Sequence, residues 1–498
     1  MSVNIYVDRF GGNYVGAVAE NGKLIEYRLE NVTKTVAIGS IFKGKVENVL
    51  GGMNAAFVNV GLDKNGYLSA GDMLMDRSEL IGNVEVPSIL DLNRGDEIMV
   101  QAIKDPAGTK GVKLTSNISF AGRYVVFMPT IQFVGVSRKI TDESARENLY
   151  SIAKSYCPKK AGVIIRTAAQ QATKSDIKRE IDRLRKRYAQ IAKQFKKQKA
   201  PACLYEEGNL ALRIIRDVYT SDVDKFIVGD KETYRVVSDY AKKFETELKS
   251  KLVLYDKKED MFTHFGLSKD VETLLTNNVP LKSGAYLVID KTEALTVIDV
   301  NTGRYTGQDN LEDTVFETNL EAAKEIARQL RLRNISGIIV VDFIDMRSHE
   351  HREKLLSSLS EFVADDREKC TVVGMSPLGL VEITRKKKLR ESVASLVQPC
   401  PYCQGSGLIQ SNDYIVMKIR AALLDLFANG YDNAIADVNV DIAEYIFAKK
   451  QLKGDIERLW AGKRVYIIPH KTYHRQFFII KGDNGFAIEV SEKARLLY

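Results

Sequence analysis

Two aspartates each follow an apolar run, Asp299 in LTVIDVN and Asp342 in IIVVDFID. Each run reads as a buried strand, so each carboxylate falls where its strand leaves the core. An unpartnered carboxylate is costly to bury, and two converging on one point repel each other unless a cation lies between them. A hard divalent ion such as Mg²⁺, which takes oxygen ligands, is the simplest choice. Asn301 stands two residues beyond Asp299. In a strand, residues i and i+2 share a face, so its amide belongs to the same cluster. A carboxylate–amide–carboxylate set around Mg²⁺ suits phosphodiester hydrolysis, the metal lowering the pKa of a water and neutralising phosphate charge. No Ser-His-Asp set or catalytic His pair competes: of the 5 His, His349 and His351 read as exposed residues at a helix start. Asp345 reads as the cap of that helix.

CPYCQGSG places Cys400 and Cys403 on a tight turn that aims two thiols at one point. A structural zinc needs four ligands, and Cys157, Cys203 and Cys370 are isolated. Two chains each donating a pair across a dimer axis is the economical reading; a redox Cys-x-x-Cys and an unmetallated turn are the alternatives. A third candidate is Arg166–Thr167 at the end of GVIIRTAA. An Arg fork with a neighbouring hydroxyl can hold a phosphate.

These residues need a large scaffold. At 498 residues with 45% hydrophobic content, the chain should hold several domains. The N-terminus lacks a signal-peptide pattern, no apolar run is long enough to span a bilayer, and the cysteines form no secreted disulfide framework. These features point to the cytoplasm. Net charge is +8. The stretch from Gln171 to Ala200 holds 11 basic and 3 acidic residues, an excess of 8 that equals the chain's whole net charge. Ile177, Ile181, Leu184, Tyr188, Ile191 and Phe195 recur there at helical spacing, which predicts an amphipathic helix with a cationic outer face. A solvated helix without a ligand accounts for that pattern; a phosphate backbone is the functional alternative.

Residues 1–36 alternate like a meander of strands. From about Ala37 to Ile118, five short strands with Gly-rich corners fit a small OB-type barrel, a fold that binds single strands through aromatics and cations. Phe57, Tyr67, Lys45 and Lys110 are the candidates, although Phe57, flanked by Ala and Val, also fits a core position. KKQKAPA before Cys203 reads as a linker, and a mixed α/β stretch follows from Leu210 to Phe265. From Pro280 the order is strand (285–289), strand (294–301), helix, strand (338–342), helix, strand (370–375), an α/β sandwich around a sheet. In the first of these helices Phe316, Leu320, Ala323, Ala327 and Leu330 form the apolar stripe, and Glu321, Lys324, Glu325, Arg328 and Arg331 face outward. A basic cluster in LVEITRKKKLRES then lies close to the acids in sequence, and the tail from 410 carries a helix over Ile415–Phe427.

EALTVIDVNTG, NLEAAKEIARQLRLRNISGIIVVDFIDM and CPYCQGSG, in that order and preceded by GSIFKGKVENVLGGMNAAFVNVGLDKNGYL, closely resemble the RNase E/RNase G family of bacterial endoribonucleases. The resemblance runs through essentially the whole chain, whose length is that of RNase G or a compact form of the family. It implies a multidomain α/β and β fold. An RNase H-like domain (1–36 and 210–278) would carry an inserted OB-fold, S1-type RNA-binding domain (37–118) and a 5′-sensor region (119–209). A DNase I-like catalytic domain (279–396), a zinc-link (397–409) and a small C-terminal α/β domain (410–498) would follow. It implies Mg²⁺ held by Asp299 and Asp342 with Asn301 nearby, and Zn²⁺ shared between chains by Cys400 and Cys403. It also implies a 5′-monophosphate pocket of Arg166, Thr167, Gly122 and Val126, in which Lys369 replaces a family Arg. Lys cannot reproduce a bidentate fork. The activity implied is cleavage of single-stranded, AU-rich RNA to 5′-phosphate and 3′-hydroxyl ends, stimulated by a 5′-monophosphate, in rRNA and tRNA processing and mRNA decay, by a homodimer or tetramer. A non-catalytic RNA-binding protein on the same scaffold and a nuclease for DNA are the competing readings.

Overall fold

The computed structural model describes residues 2–31, 38–73, 89–104, 111–303, 311–386, 391–483 and 494–497. The chain divides into two compact units, 1–397 and 398–498.

In the first unit the chain starts with three antiparallel strands, Val3–Phe10, Asn13–Glu20 and Lys23–Asn31. Their sheet is completed by Val223–Val228 and Leu252–Leu254, with Val3–Phe10 running parallel to Val223–Val228. A parallel pair needs a long crossover, and here everything between residues 31 and 223 lies within it. That insertion begins as a small barrel of Ile41–Leu50, Ala55–Asn59, Gly66–Ser69, Lys113–Thr115 and Glu97–Lys104, closed by pairing of the first strand with the last. Ala202–Tyr205 pairs with Ile41–Leu50, and the Glu207 amide donates to Ser40 Oγ at 3.1 Å. The insertion therefore ends beside its own start. KKQKAPA is a tight corner rather than a linker: helix runs to Lys197 and strand resumes at Ala202.

The basic segment forms the helix Lys174–Lys197, opened by a capping box between Thr173 and Asp176. Its stripe packs as the periodicity predicts: Ile177, Ile181, Leu184 and Ile191 are buried in one cluster, with Tyr188 and Phe195 against it. The same cluster contains the strands Val125–Met128 and Gly162–Ile165.

The acid-bearing sheet has the order Asn278–Pro280, Tyr286–Lys291, Leu295–Asn301, Gly337–Asp342, Leu380–Arg385, Cys370–Met375. The strand Leu380–Arg385, read from sequence as part of a basic cluster, inserts between its two neighbours. Its Arg385 is 5% exposed and grips Asp366 with two hydrogen bonds of 2.7 and 3.2 Å. The expected sandwich is one-sided among the described residues. Ile298, Val300, Ile339, Val341, Val381 and Ile383 pack against the helices Leu311–Leu332 and His349–Ala364. On the opposite face Ile338 is 53% exposed, and Asp299, Asp342 and Glu382 are exposed. Two of the outward charges of Leu311–Leu332 meet the first sheet instead of water, while Lys324 is exposed. Arg328 Nη1 donates to Leu24 O at 2.6 Å, and Arg331 reaches Glu20 at 3.4 Å. His349–Ala364 is capped by Ser348, not Asp345, and the Ser348 amide donates to Glu312 at 2.6 Å. His349 is exposed as expected, whereas His351 stacks on Phe316 at 4.4 Å.

The second unit is a four-stranded sheet in the order Phe478–Asp483, Asn433–Asn439, Arg464–His470, Arg495–Leu496. The helices Asn412–Ala428 and Val440–Ala448 share its core.

Breaking a buried ion pair strands the surviving charge. Arg385→Ala should lower unfolding free energy by about 3 kcal/mol, read as a fall in the urea midpoint; an unchanged midpoint would show that Asp366 finds other partners.

Candidate active site and RNA-contact residues

The strands Leu295–Asn301 and Gly337–Asp342 are parallel neighbours, and Asp299 stands directly opposite Asp342. Alternation then decides where the side chains go. Ile298, Val300 and Val341 turn into the core, so Asp299, Asn301 and Asp342 share the bare face of the sheet. Asn301 Nδ2 donates to Asp299 Oδ2 at 2.8 Å, which holds one carboxylate in place and leaves its other oxygen for a different partner. From sequence, both acids are expected to be buried. Both are exposed, so water solvates each one and no cation is needed merely to pay for burial. Glu382 was missed by sequence reasoning. It lies on the same face opposite Val340, two residues before Asp342, and the alternation in LVEITR carries that signal.

On the barrel, Phe57 and Tyr67 are cross-strand partners with ring centroids 5.9 Å apart, edge to face. Ala56, Val58 and Leu68 fill the barrel core, so both aromatics point outward and the core alternative for Phe57 is excluded. Asn48 and Lys113 extend this outward row on either side, and neither was singled out from sequence. Lys45 is exposed opposite Asn59. Lys110 lies outside the described residues.

The expected phosphate-pocket residues converge in part. Arg166 Nη1 donates to the Gly122 carbonyl and Nη2 to Asp217 Oδ1 at 3.0 Å, so its fork is already engaged. A Cβ at Gly122 would collide with the Glu180 carboxylate. That carboxylate accepts from the amides of Arg123, Tyr124 and Val125 at 3.0, 2.7 and 3.1 Å. This turn therefore cradles an anion, and the anion is Glu180. Val126 lies on the strand opposite Ile164. Thr167 Oγ1 is exposed, 3.1 Å from Ser137 Oγ. Lys369 is exposed three residues beyond Asp366, whose carbonyl accepts from Lys139 Nζ at 2.7 Å. Ser137, Lys139 and Asp217 were invisible as motifs, because each meets the site through long-range packing. Burial acts to raise the Asp217 pKa, but the hydrogen bonds and charges of Arg216, then of Arg166, outweigh it and hold the group at about 2.

In the second unit Cys400 and Cys403 lie on a turn with Gln404, Gly405 and Gly407 at positive φ. That conformation turns the amides of Gly407 and Gly405 toward Cys403 and lowers its thiol pKa, with Cys400 adding to the effect. A turn prepared for thiolates fits a soft metal. Among the described residues, no group of three or more His, Cys, Asp or Glu gathers as a metal site anywhere. A zinc here would thus need ligands from outside those residues.

A profile of the ribonuclease E/G family matches residues 119–388, and the chain belongs to that family. Among relatives that match nearly end to end, ribonuclease G of Escherichia coli K12 is 39% identical over 470 residues, covering 93% of this chain and 96% of the relative. Ribonuclease G of Haemophilus influenzae is 36% identical over 473 residues with the same coverage. Ribonuclease E of Nostoc sp. PCC 7120 is 36% identical over 378 residues, covering 74% of this chain and 54% of the relative.

Asp217 has its pKa depressed on folding, so its contribution is full above the ordinary value near 3.8 and is lost as pH falls toward 2. Asp217→Asn should destabilise the chain by ~1–2 kcal/mol at pH 7. The deficit should shrink toward zero between about pH 4 and pH 2, which paired urea titrations would follow. A deficit independent of pH would mean that Asp217 acts through packing alone.

Proposed function

We propose that the chain is a Mg²⁺-dependent endoribonuclease that cuts single-stranded RNA at the face carrying Asp299, Asn301 and Asp342. Family membership makes it a hydrolase of RNA. The observation that carries the site assignment is the register of the two acids: on neighbouring parallel strands, at one level, exposed, with Asn301 bonded to Asp299. This donor set fits Mg²⁺, which keeps several waters and takes one or two carboxylates beside substrate phosphates. Held by Asp299 and Asp342, the ion would neutralise phosphate charge and make a water nucleophilic. Asn301 fixes the orientation of Asp299, and the strand pairing keeps the two carboxylates at one level.

The remaining assignments extend this reading. Residues 37–118 form an OB-type, S1-like domain, whose strand order, closed on itself, supports the assignment. There Phe57 and Tyr67 stack bases and Lys45 meets phosphate. The host around it, 1–36 with 210–278, is RNase H-like; 279–396 is DNase I-like; 397–409 is a zinc-link; and 410–498 is the small C-terminal domain. Within 119–209, Arg166, Thr167, Gly122 and Val126, with Lys369, receive a 5′-monophosphate. Thr167 and Lys369 meet it from the exposed side, and Arg166 is held behind by Asp217. Cys400 and Cys403 hold half of a structural Zn²⁺ completed by a second chain, giving a homodimer that can pair into a tetramer. No helix among the described residues is long and apolar enough to cross a membrane, and we place the chain in the cytoplasm. Its substrates are AU-rich segments of rRNA and tRNA precursors and of mRNA.

A 5′-labelled, 5′-monophosphorylated AU-rich RNA should be cut internally with Mg²⁺ and not with EDTA. Asp299→Asn and Asp342→Asn should each lose on the order of a thousandfold in rate while still binding RNA. Near-native rates would overturn the site; RNA bound but uncut in every lane would favour the non-catalytic binding protein; equal cutting of a matched DNA would remove the RNA preference. The 5′-triphosphate form should be cut more slowly, and equal rates would remove the sensor role. Zinc chelation should dissociate the dimer in sedimentation, and an intact dimer would count against the shared metal.

A further inference from the structure

The helix Lys174–Lys197 connects two of the proposed RNA-contact regions. Its N-terminal end follows directly on Arg166 and Thr167, through the single turn Thr167–Gln171 and the Thr173 cap. Its C-terminal end docks on the barrel, where Lys43 Nζ donates to the carbonyls of Phe195 and Gln198 at 3.0 and 2.9 Å. Lys43 lies on the strand Ile41–Leu50, which also bears the exposed Lys45. The helix has 24 residues and is therefore ~36 Å long. Its apolar face is buried in the protein core.

The outward face is cationic along this whole length. Lys174, Lys178, Arg179, Arg185, Lys186, Lys193, Lys196 and Lys197 are exposed, and at 3.6 residues per turn they fall within a sector of about 140°. Arg179 and Arg185 pair with Asp176 and Asp182 on the helix itself, at 3.6 and 3.1 Å. Lys174, Lys186, Lys193, Lys196 and Lys197 have no carboxylate partner among the described residues. Five unneutralised ammonium groups in one row repel each other unless a polyanion or condensed ions lie over them. A lipid surface fits poorly, since the helix has no apolar face left to insert.

We propose that this face is a phosphate rail, along which a single RNA strand runs between the Arg166–Thr167 corner and the barrel. The proposal rests on the ribonuclease reading above. Lysines suit such a role because a point charge on a flexible stem meets phosphates without demanding base identity. The rail would hold the 5′ segment of a long substrate and leave chemistry at Asp299 and Asp342 untouched.

The test uses the full chain and the triple variant Lys186→Gln/Lys193→Gln/Lys197→Gln. On a 5′-monophosphorylated RNA of about 40 nucleotides, KM should rise roughly fivefold or more with kcat unchanged, and the slope of log KM against log salt should fall by about 2. On an RNA of about 6 nucleotides, too short to lie along the rail and reach the barrel, KM should stay native. A triple Arg variant should match the native chain on both. Unchanged KM and salt slope on the long RNA would overturn the rail and leave the face merely solvated. Equal loss on the short RNA, or in the Arg variant, would also overturn it by pointing to a folding defect. Binding of phosphatidylglycerol vesicles that the triple Gln variant loses, with RNA kinetics native, would assign the face to a membrane instead. If the native chain neither binds nor cuts RNA, the ribonuclease reading itself fails.

Discussion

Two aspartates at one level on neighbouring strands can have their Cα atoms drawn apart only if the sheet between them breaks. The spacing of their backbones is therefore held by hydrogen bonds that are numerous and insensitive to side-chain rotamers. The rest of the first unit protects that pairing. The helices Leu311–Leu332 and His349–Ala364 cover one face of the sheet, and the Arg385–Asp366 pair fastens the neighbouring strand to the loop after the second helix. Among the described residues the other face stays bare, which is what the proposed site for a long polymer requires: a closed pocket would admit an end, whereas an open sheet admits the middle of a chain.

The helix Leu311–Leu332 has a second duty. Ala322, Ala323, Ile326 and Leu330 belong to the acid-bearing sheet's core, while Arg328 and Arg331 reach the strand Lys23–Asn31 and Glu20. One helix thus carries the register of the site to the first sheet. A shift of either sheet would have to drag a helix that is packed on both sides, and packed interiors transmit displacement rather than absorbing it.

Much of the candidate site was readable because it sits where a local pattern ends. An apolar run closed by Asp announces a strand and its exit, and the run lengths put Asp299 and Asp342 on strands that proved to be neighbours. The basic helix was readable from spacing alone, and all six stripe residues pack as the periodicity requires. What failed did so for non-local reasons. The acids are exposed because, among the described residues, one sheet face lacks a covering layer, and no local pattern reports a missing layer. Leu380–Arg385 was hidden by the lysines after it, although its alternation is plain in retrospect. Asp217 meets Arg166 across 51 residues of chain, and Glu180 fills the turn after Gly122 from a helix turn more than 50 residues away. Neither pairing leaves a trace in spacing. Arg328 and Arg331 read as solvated charges because helical periodicity separates polar from apolar faces but not water from a second protein layer.

Within the span between residues 31 and 223 the barrel is entered and left at neighbouring points, where Ile41 pairs with Tyr205 and Ser40 meets Glu207. The strand order of the host sheet therefore depends on the closeness of those two ends and not on the barrel strands between them. Length and shape within the barrel can therefore drift without altering the strand order of the host. The same arrangement imposes an order in time. As the chain leaves the ribosome, the first three strands wait with an open edge until Val223–Val228 is made, and the barrel, whose strands are contiguous, can close during that interval. The inserted barrel is thus the part able to fold first.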